Sequence, residues 1–211
     1  MKRLFSLVCV TMLTIAASAQ ITWNAKGGFG VATCYGWSSE YVEDAEMSKK
    51  AHLVGKVGVG IEYPLTSNWS LMPSLELAWK GAKYEFEEKG WVDKSTLDFT
   101  YVQVPIVAAY RMNLTDAWNL TLKAGPYFAY AISDKFTVEY EYTGDSSFPG
   151  SSGSESGSAD IKKFDAGLDV GVDFEHHRFV FGVEAELGFM ELESYAKAKN
   201  LAFYATLGWK F

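Results

Sequence analysis

Residues 164–175 read Phe-Asp-Ala-Gly-Leu-Asp-Val-Gly-Val-Asp-Phe-Glu. Even positions carry Phe164, Ala166, Leu168, Val170, Val172 and Phe174. Odd positions carry Asp165, Gly167, Asp169, Gly171, Asp173 and Glu175. Side chains alternate across a strand, so one face of this segment is wholly apolar and the other is acidic or bare. A soluble sandwich would turn the acidic face to water. A membrane barrel would turn the apolar face to lipid and the polar face inward.

The same period recurs along the chain. Alternation predicts strands over 23–35, 53–63, 69–86, 97–111, 118–142, 161–175, 179–190 and 201–211. The connections run long, short, long, short, long, short, long: 37–50, 64–68, 87–95, 112–117, 143–160, 176–178 and 191–200. That rhythm predicts an all-β fold, an eight-stranded antiparallel up-and-down transmembrane β-barrel with tight turns at one end and loops at the other. Pro105 lies inside the fourth strand and predicts a bulge or kink there, because proline cannot donate to the ladder. Segment 143–160 is rich in Gly and Ser and reads as a loop within one domain.

Met1-Lys2-Arg3, an apolar run to Ala17 and the Ala17-Ser18-Ala19 site read as a signal peptide over 1–19, with the barrel domain at 20–211. Cys9 falls in the middle of the apolar run, not at its end, so no lipid anchor is expected. Removing Lys2 and Arg3 lowers the basic count from 19 to 17 against 26 acids, a net charge of −9. That charge argues against nucleic acid as a partner. Beyond the signal no apolar run reaches 18 residues, which excludes a helical membrane protein.

The inward face separates the two readings. On this register it holds Lys26, Lys56, Lys80, Arg111, Lys123 and Lys210, together with Glu62, Glu76, Asp165, Asp169, Asp173, Glu184 and Glu186. The opposite face carries almost no charge. In a soluble barrel that continuous apolar face would lie in water on all eight strands, far beyond a tolerable patch. Lipid is the consistent partner. An eight-stranded barrel is only wide enough for its own side chains, so the inward charges are expected to form a structural salt-bridge network. A narrow solute path is the functional alternative. Glycines on the same face, Gly28, Gly58, Gly60, Gly167, Gly171 and Gly182, would favour the path by leaving space.

Nothing composes a catalytic set, and no enzyme activity, metal or cofactor is expected. His176 and His177 fall in a turn, and neighbours on a strand point to opposite faces, which suits a metal poorly. Cys34, the one cysteine beyond the signal, reads as packing.

Gly28-Phe29-Gly30-Val31, the stretch Ser70 to Gly81, Tyr101-Val102-Gln103-Val104-Pro105, Ala124-Gly125-Pro126-Tyr127 and Phe164-Asp165-Ala166-Gly167 follow one another in a telling order. Together they resemble the porin-family outer-membrane β-barrel domain, a PorT-like, loosely OmpA- and OmpX-like small barrel. The resemblance covers the whole mature chain. It implies the outer membrane of a Gram-negative bacterium and gives Pro105 a normal place in its strand. Three functions stay open: a structural or surface-interaction barrel, a small gated pore, and a loop-based binding module. The expected partners are outer-membrane lipid and a surface protein or ligand meeting loops 37–50 and 143–160, with the barrel itself a monomer.

Overall fold

The computed structural model describes residues 21–36, 47–88, 91–142, 151–159, 161–192 and 197–211. The expected signal peptide lies outside them. The described residues form ten strands: β1 Thr22–Tyr35, β2 Met47–Lys50, β3 His52–Pro64, β4 Trp69–Glu88, β5 Trp91–Asn113, β6 Trp118–Tyr142, β7 Ser151–Ser158, β8 Phe164–His176, β9 Phe179–Gly188 and β10 Lys199–Lys210. Eight of them form a closed ring, in the order β4-β3-β1-β10-β9-β8-β6-β5, with β5 returning to β4. All neighbours are antiparallel. The first and last strands meet from Asn24↔Lys210 to Tyr35↔Lys199, so no edge remains in the ring.

The turns at one end follow from local chemistry. Leu65-Thr66-Ser67-Asn68-Trp69 and Leu114-Thr115-Asp116-Ala117-Trp118 close the same way. In each the leucine N–H donates to the tryptophan carbonyl (2.8 and 2.9 Å), and the threonine Oγ1 accepts from the tryptophan N–H (3.0 and 3.1 Å). The third turn is shorter than expected. β8 runs through His176, leaving a two-residue turn in which His177 takes φ 56°.

Outward positions alternate with inward ones, as a lipid-facing barrel requires. Val57, Val59, Leu75, Phe181, Val183 and Leu207 are exposed in the middle of the wall. Trp69 and Trp79 share the outward face of β4, and both are exposed. Ten residues at ~3.3 Å rise, tilted by roughly 40–45°, separate them by roughly 24 Å of height, about the apolar band of an outer-membrane barrel. At the short-turn end the belt is completed by Trp23, Trp118, Phe179, Trp209 and Phe211. Phe179 packs edge-on to Trp209 with centroids 4.5 Å apart.

Three expected loops are partly strand. Segment 87–95 holds no long loop: β4 reaches Glu88 and β5 starts at Trp91, paired from Trp69↔Tyr110 to Glu88↔Trp91. Within 37–50, Met47–Lys50 pairs with the end of β4. Within 143–160, Ser151–Ser158 pairs with the end of β6. The rest of 37–46, 143–150 and 160 lies outside the described residues. The cause is β4, β5 and β6 overshooting the ring. Their extra length carries unpaired backbone groups, which β2 and β7 satisfy in the places β3 and β8 vacate. The result is a five-stranded arm, β2-β4-β5-β6-β7, standing beyond the barrel. The bulge expected at Pro105 falls instead between Thr100 and Tyr101, where the β5–β6 register shifts as the wall becomes the arm. Pro105 keeps its register with Tyr127.

Candidate functional site

The inward charges occupy the lumen in layers. Nearest the short turns, Arg111 Nη2 lies 2.7 Å from Glu62 Oε1 and 3.1 Å from Glu175 Oε2. Lys210 Nζ lies 2.8 Å from each of the same two acids. Ser70 and Thr121 donate to Glu62 and Glu175 at 3.2 and 2.8 Å.

The middle layer centres on Glu184 and Glu76. Lys123 Nζ meets Asp173 at 2.6 Å and Glu184 at 2.7 Å. Lys26 meets Glu76 at 2.8 Å and Glu184 at 3.0 Å. Ser74 Oγ donates to Glu76 at 2.6 Å. One layer further, Lys56 contacts Glu184, Glu186 (3.0 Å) and Glu76 (3.5 Å), and Lys80 contacts Glu186 at 2.7 Å. The Gln103 amide bridges Glu76 (3.1 Å) and Glu186 (2.8 Å).

Above this layer the lumen turns aromatic. Lys80 Nζ sits 4.0 Å from the Tyr127 ring centroid, and Lys56 Nζ sits 4.7 Å from that of Tyr204. Tyr127 Oη and Asn200 Nδ2 both donate to Asp165, at 2.9 Å each. The mouth is then closed by apolar packing. Phe99, Tyr101 and Ala131 from the wall meet Ile161 and Leu192, which approach from the segments preceding β8 and following β9. Backbone bonds hold those segments together, with the Lys162 N–H on the Leu192 carbonyl at 2.8 Å and the Leu192 N–H on the Ala198 carbonyl at 2.7 Å.

All thirteen expected lumen residues point inward, and twelve of them are brought into hydrogen bonds or ion pairs with one another or with luminal polar groups. Asp169 differs. It is 2% exposed, stands opposite Glu186 across β8 and β9, and has no cation within ion-pair distance among the described residues. It faces a cavity of ≈ 40 Å³ shared with Lys26, Lys123, Asp173 and Glu184. Two further points depart from the expected salt-bridge network of six cations and seven acids. Glu175, which continues the acidic face of residues 164–175, joins the network and raises the acids to eight against six cations. Asp165 takes neutral donors on its Oδ2 instead of a cation, and its buried Oδ1 has no hydrogen-bond partner among the described residues.

The inward glycines do not leave a path where their neighbours close over them. A Cβ on Gly58 would stand 2.5 Å from Glu76 Cγ, and one on Gly182 would stand 2.1 Å from Asp173 Oδ1. Glycine there makes room for the charged chain of the next strand to lie flat across the lumen. Sequence reasoning missed the aromatic and amide members, Tyr101, Tyr127, Tyr204, Gln103 and Asn200. For the tyrosines and Gln103 the available signal was parity, inward on strands whose outward face was already assigned; Asn200 fell in the expected connection 191–200, and the last strand in fact begins at Lys199.

The histidines lie apart from this network. His52 Nε2 is 2.9 Å from Asp98 Oδ1 at the base of the arm, and His176 packs on Trp118 and His177, each at 4.5 Å between centroids.

A family model described as "Outer membrane protein beta-barrel domain" matches residues 16–193. Among curated proteins, none matches the chain by sequence. Several solved barrels share its course. Ail, the attachment invasion locus protein of Yersinia pestis, is 15% identical, with 90% of this chain and 98% of that one covered and a TM-score of 0.41. OprG of Pseudomonas aeruginosa is 11% identical over 92% and 97%, with a TM-score of 0.46. Neisserial surface protein A is 10% identical over 92% and 99%, also at 0.46.

Proposed function

Because this chain belongs to the family of outer membrane protein beta-barrel domains, we propose that it is a sealed barrel with a structural and surface-interaction role, holding the five-stranded arm outside the cell. The short turns and both termini face the periplasm, and the arm faces outward. Export uses residues 1–19, removed before Gln20.

The observation that carries this reading is the double closure of the lumen. Cations and carboxylates from facing strands cross the barrel interior in contact with each other, and Phe99, Tyr101, Ile161 and Leu192 pack over them. A conducting path needs a file of water with sites that ions enter and leave. Interleaved ion pairs under an apolar cap supply neither. The long β4–β5–β6 extension, by contrast, needs an anchor that does not breathe. A wall fastened through its interior supplies one.

Planar-bilayer recording of the refolded protein tests the proposal. A quiet membrane is expected, with no steady open level. Large, stable single-channel currents from the wild-type protein would overturn it and assign the chain to transport.

A further inference from the structure

The arm ends in β7, a strand paired on one side among the described residues. β7 pairs with β6 over eight consecutive residues, from Lys135↔Ser158 to Tyr142↔Ser151, without a register shift. Along 152–157 no other strand pairs with its second edge among the described residues. Alternate residues of an edge strand aim their N–H and C=O groups away from the sheet, and such an edge is a template for another strand. Natural edges are blunted by shortness, charged side chains (lysine above all), proline or a bulge. The opposite edge of the arm follows that rule, since β2 is four residues long and ends in Lys49 and Lys50. β7 is twice as long, reads Ser-Ser-Gly-Ser-Glu-Ser-Gly-Ser, and carries of these devices a single charge, Glu155, which repels an acidic strand and leaves the edge open to a basic one.

We infer that β7 is a docking edge for an extended, basic segment of a partner polypeptide, which adds as a strand beside it. The inference rests on the outward placement of the arm proposed above, and it names the partner's chemistry. Small side chains offer an incoming backbone no obstruction: Ser152, Ser154, Ser156 and Gly157 are exposed, and a Cβ on Gly157 would meet nothing within 4 Å. The one charge on β7 is Glu155, near its centre and exposed. Glu155 pairs with Val138, while Glu139 and Glu141 lie on β6 opposite Ser154 and Ser152, on the other face of the sheet. A strand carrying Lys or Arg would meet Glu155 across the new pair, where opposite charges favour pairing. A second copy of the chain fits worse. Any near-full-length antiparallel pairing of two β7 strands sets the two Glu155 carboxylates opposite or diagonal to each other.

The probe is a synthetic eight-residue peptide, acetyl-(Lys-Val)4-amide, titrated against the full chain refolded in phosphatidylcholine vesicles and followed by fluorescence anisotropy. Saturable binding is expected. It should weaken at least tenfold for the (Glu-Val)4 peptide, at least tenfold for Glu155→Lys, and less for Glu155→Gln. N-methylation of every second peptide nitrogen should abolish it, because main-chain bonds carry strand addition. Absence of saturable binding, equal binding of the N-methylated peptide, or indifference to Glu155→Lys would each overturn the inference. So would spontaneous disulfide dimerisation of Ser154→Cys, which would make a second copy the occupant. A barrel that conducts ions and still binds the peptide would sink the sealed-barrel proposal alone.

Discussion

Replacing Lys56 by Met removes one ammonium from the centre of the lumen and little else. The side chain is fully buried, and its nitrogen contacts Glu184, lies 3.0 Å from Glu186 and 3.5 Å from Glu76, and sits over the Tyr204 ring. Methionine keeps the length and the packing of the stem, so the change isolates the charge. The three acids then share Lys26, Lys80 and Lys123 in a region where acids already exceed cations. Breaking a buried pair from one side costs about 3–5 kcal/mol, because it leaves charge without compensation. At about 1.4 kcal/mol per decade, that is roughly 10²- to 10³-fold or more in the folding equilibrium. Lys50→Met is the control. Lys50 pairs with Glu85 at 3.2 Å, but its side chain is 48% exposed, and screened surface pairs contribute at most about 1 kcal/mol. Urea titration of the barrel in lipid vesicles, read by tryptophan fluorescence, measures both. Lys56→Met with Glu186→Gln should lose less than the two single changes added together, because contacting members of one network couple. A Lys56→Met barrel within about 1 kcal/mol of wild type would refute the argument and mean that water compensates these charges.

Val183 stands on the outward face in mid-wall, 61% exposed, so Val183→Arg should cost about 2–4 kcal/mol in the same titration, whereas Glu139→Arg on the arm should cost little. Gly81 takes φ +152° where β4 leaves the ring, and a Cβ there would stand 1.9 Å from the Leu97 carbonyl oxygen. Gly81→Ala should therefore cost about 1–3 kcal/mol, while Gly157→Ala stays within about 0.5 kcal/mol of wild type. On intact cells, a PEG-maleimide too large for porins should label Ser154→Cys at once and Asp116→Cys only after permeabilisation. The native Cys34 is buried and should stay silent. The reverse order would invert the proposed topology.

The wall was legible because each of its strands has one face that only lipid can accept. Residues 164–175 fix which parity is outward, and pairing carries that choice around the ring through Leu168↔Leu187, Leu201↔Leu187 and Phe29↔Ala205. A slip of one residue in β8 or β9 would place Asp169 or Glu184 in hydrocarbon, so the register has little freedom there. The same constraint placed the inward charges, although the alternation of types along a strand says nothing about which cation meets which acid. Glu184 contacts Lys26 from β1, Lys56 from β3 and Lys123 from β6. Those contacts depend on the tilt of the strands and the reach of four-carbon stems across the barrel. The threonine turns were readable as well. Leu-Thr-x-x-Trp occurs at both Leu65 and Leu114 with the same hydrogen bonds, and a comparison of the two turn sequences would have found it.

The arm was only partly legible: 69–86 and 118–142 read as strands, but 47–50, 91–96 and 151–158 did not, because outside the membrane the two faces of a strand stop differing. Along 133–142 the chain reads Ser-Asp-Lys-Phe-Thr-Val-Glu-Tyr-Glu-Tyr, which still alternates. Along 91–98 and 151–158 polar residues fill both parities. Nothing apolar needs hiding on β7, so its Gly/Ser composition reads as loop. The backbone of β6 decides otherwise. Residues 135–142 extend past the last pair with β8, at Tyr130↔Phe164, and offer a ladder that any extended segment within reach can take. Here local propensity was overridden by the need to pair a strand already ordered by the wall beneath it. The same logic leaves β7 paired on one edge, with no further strand against 152–157 among the described residues to complete the ladder.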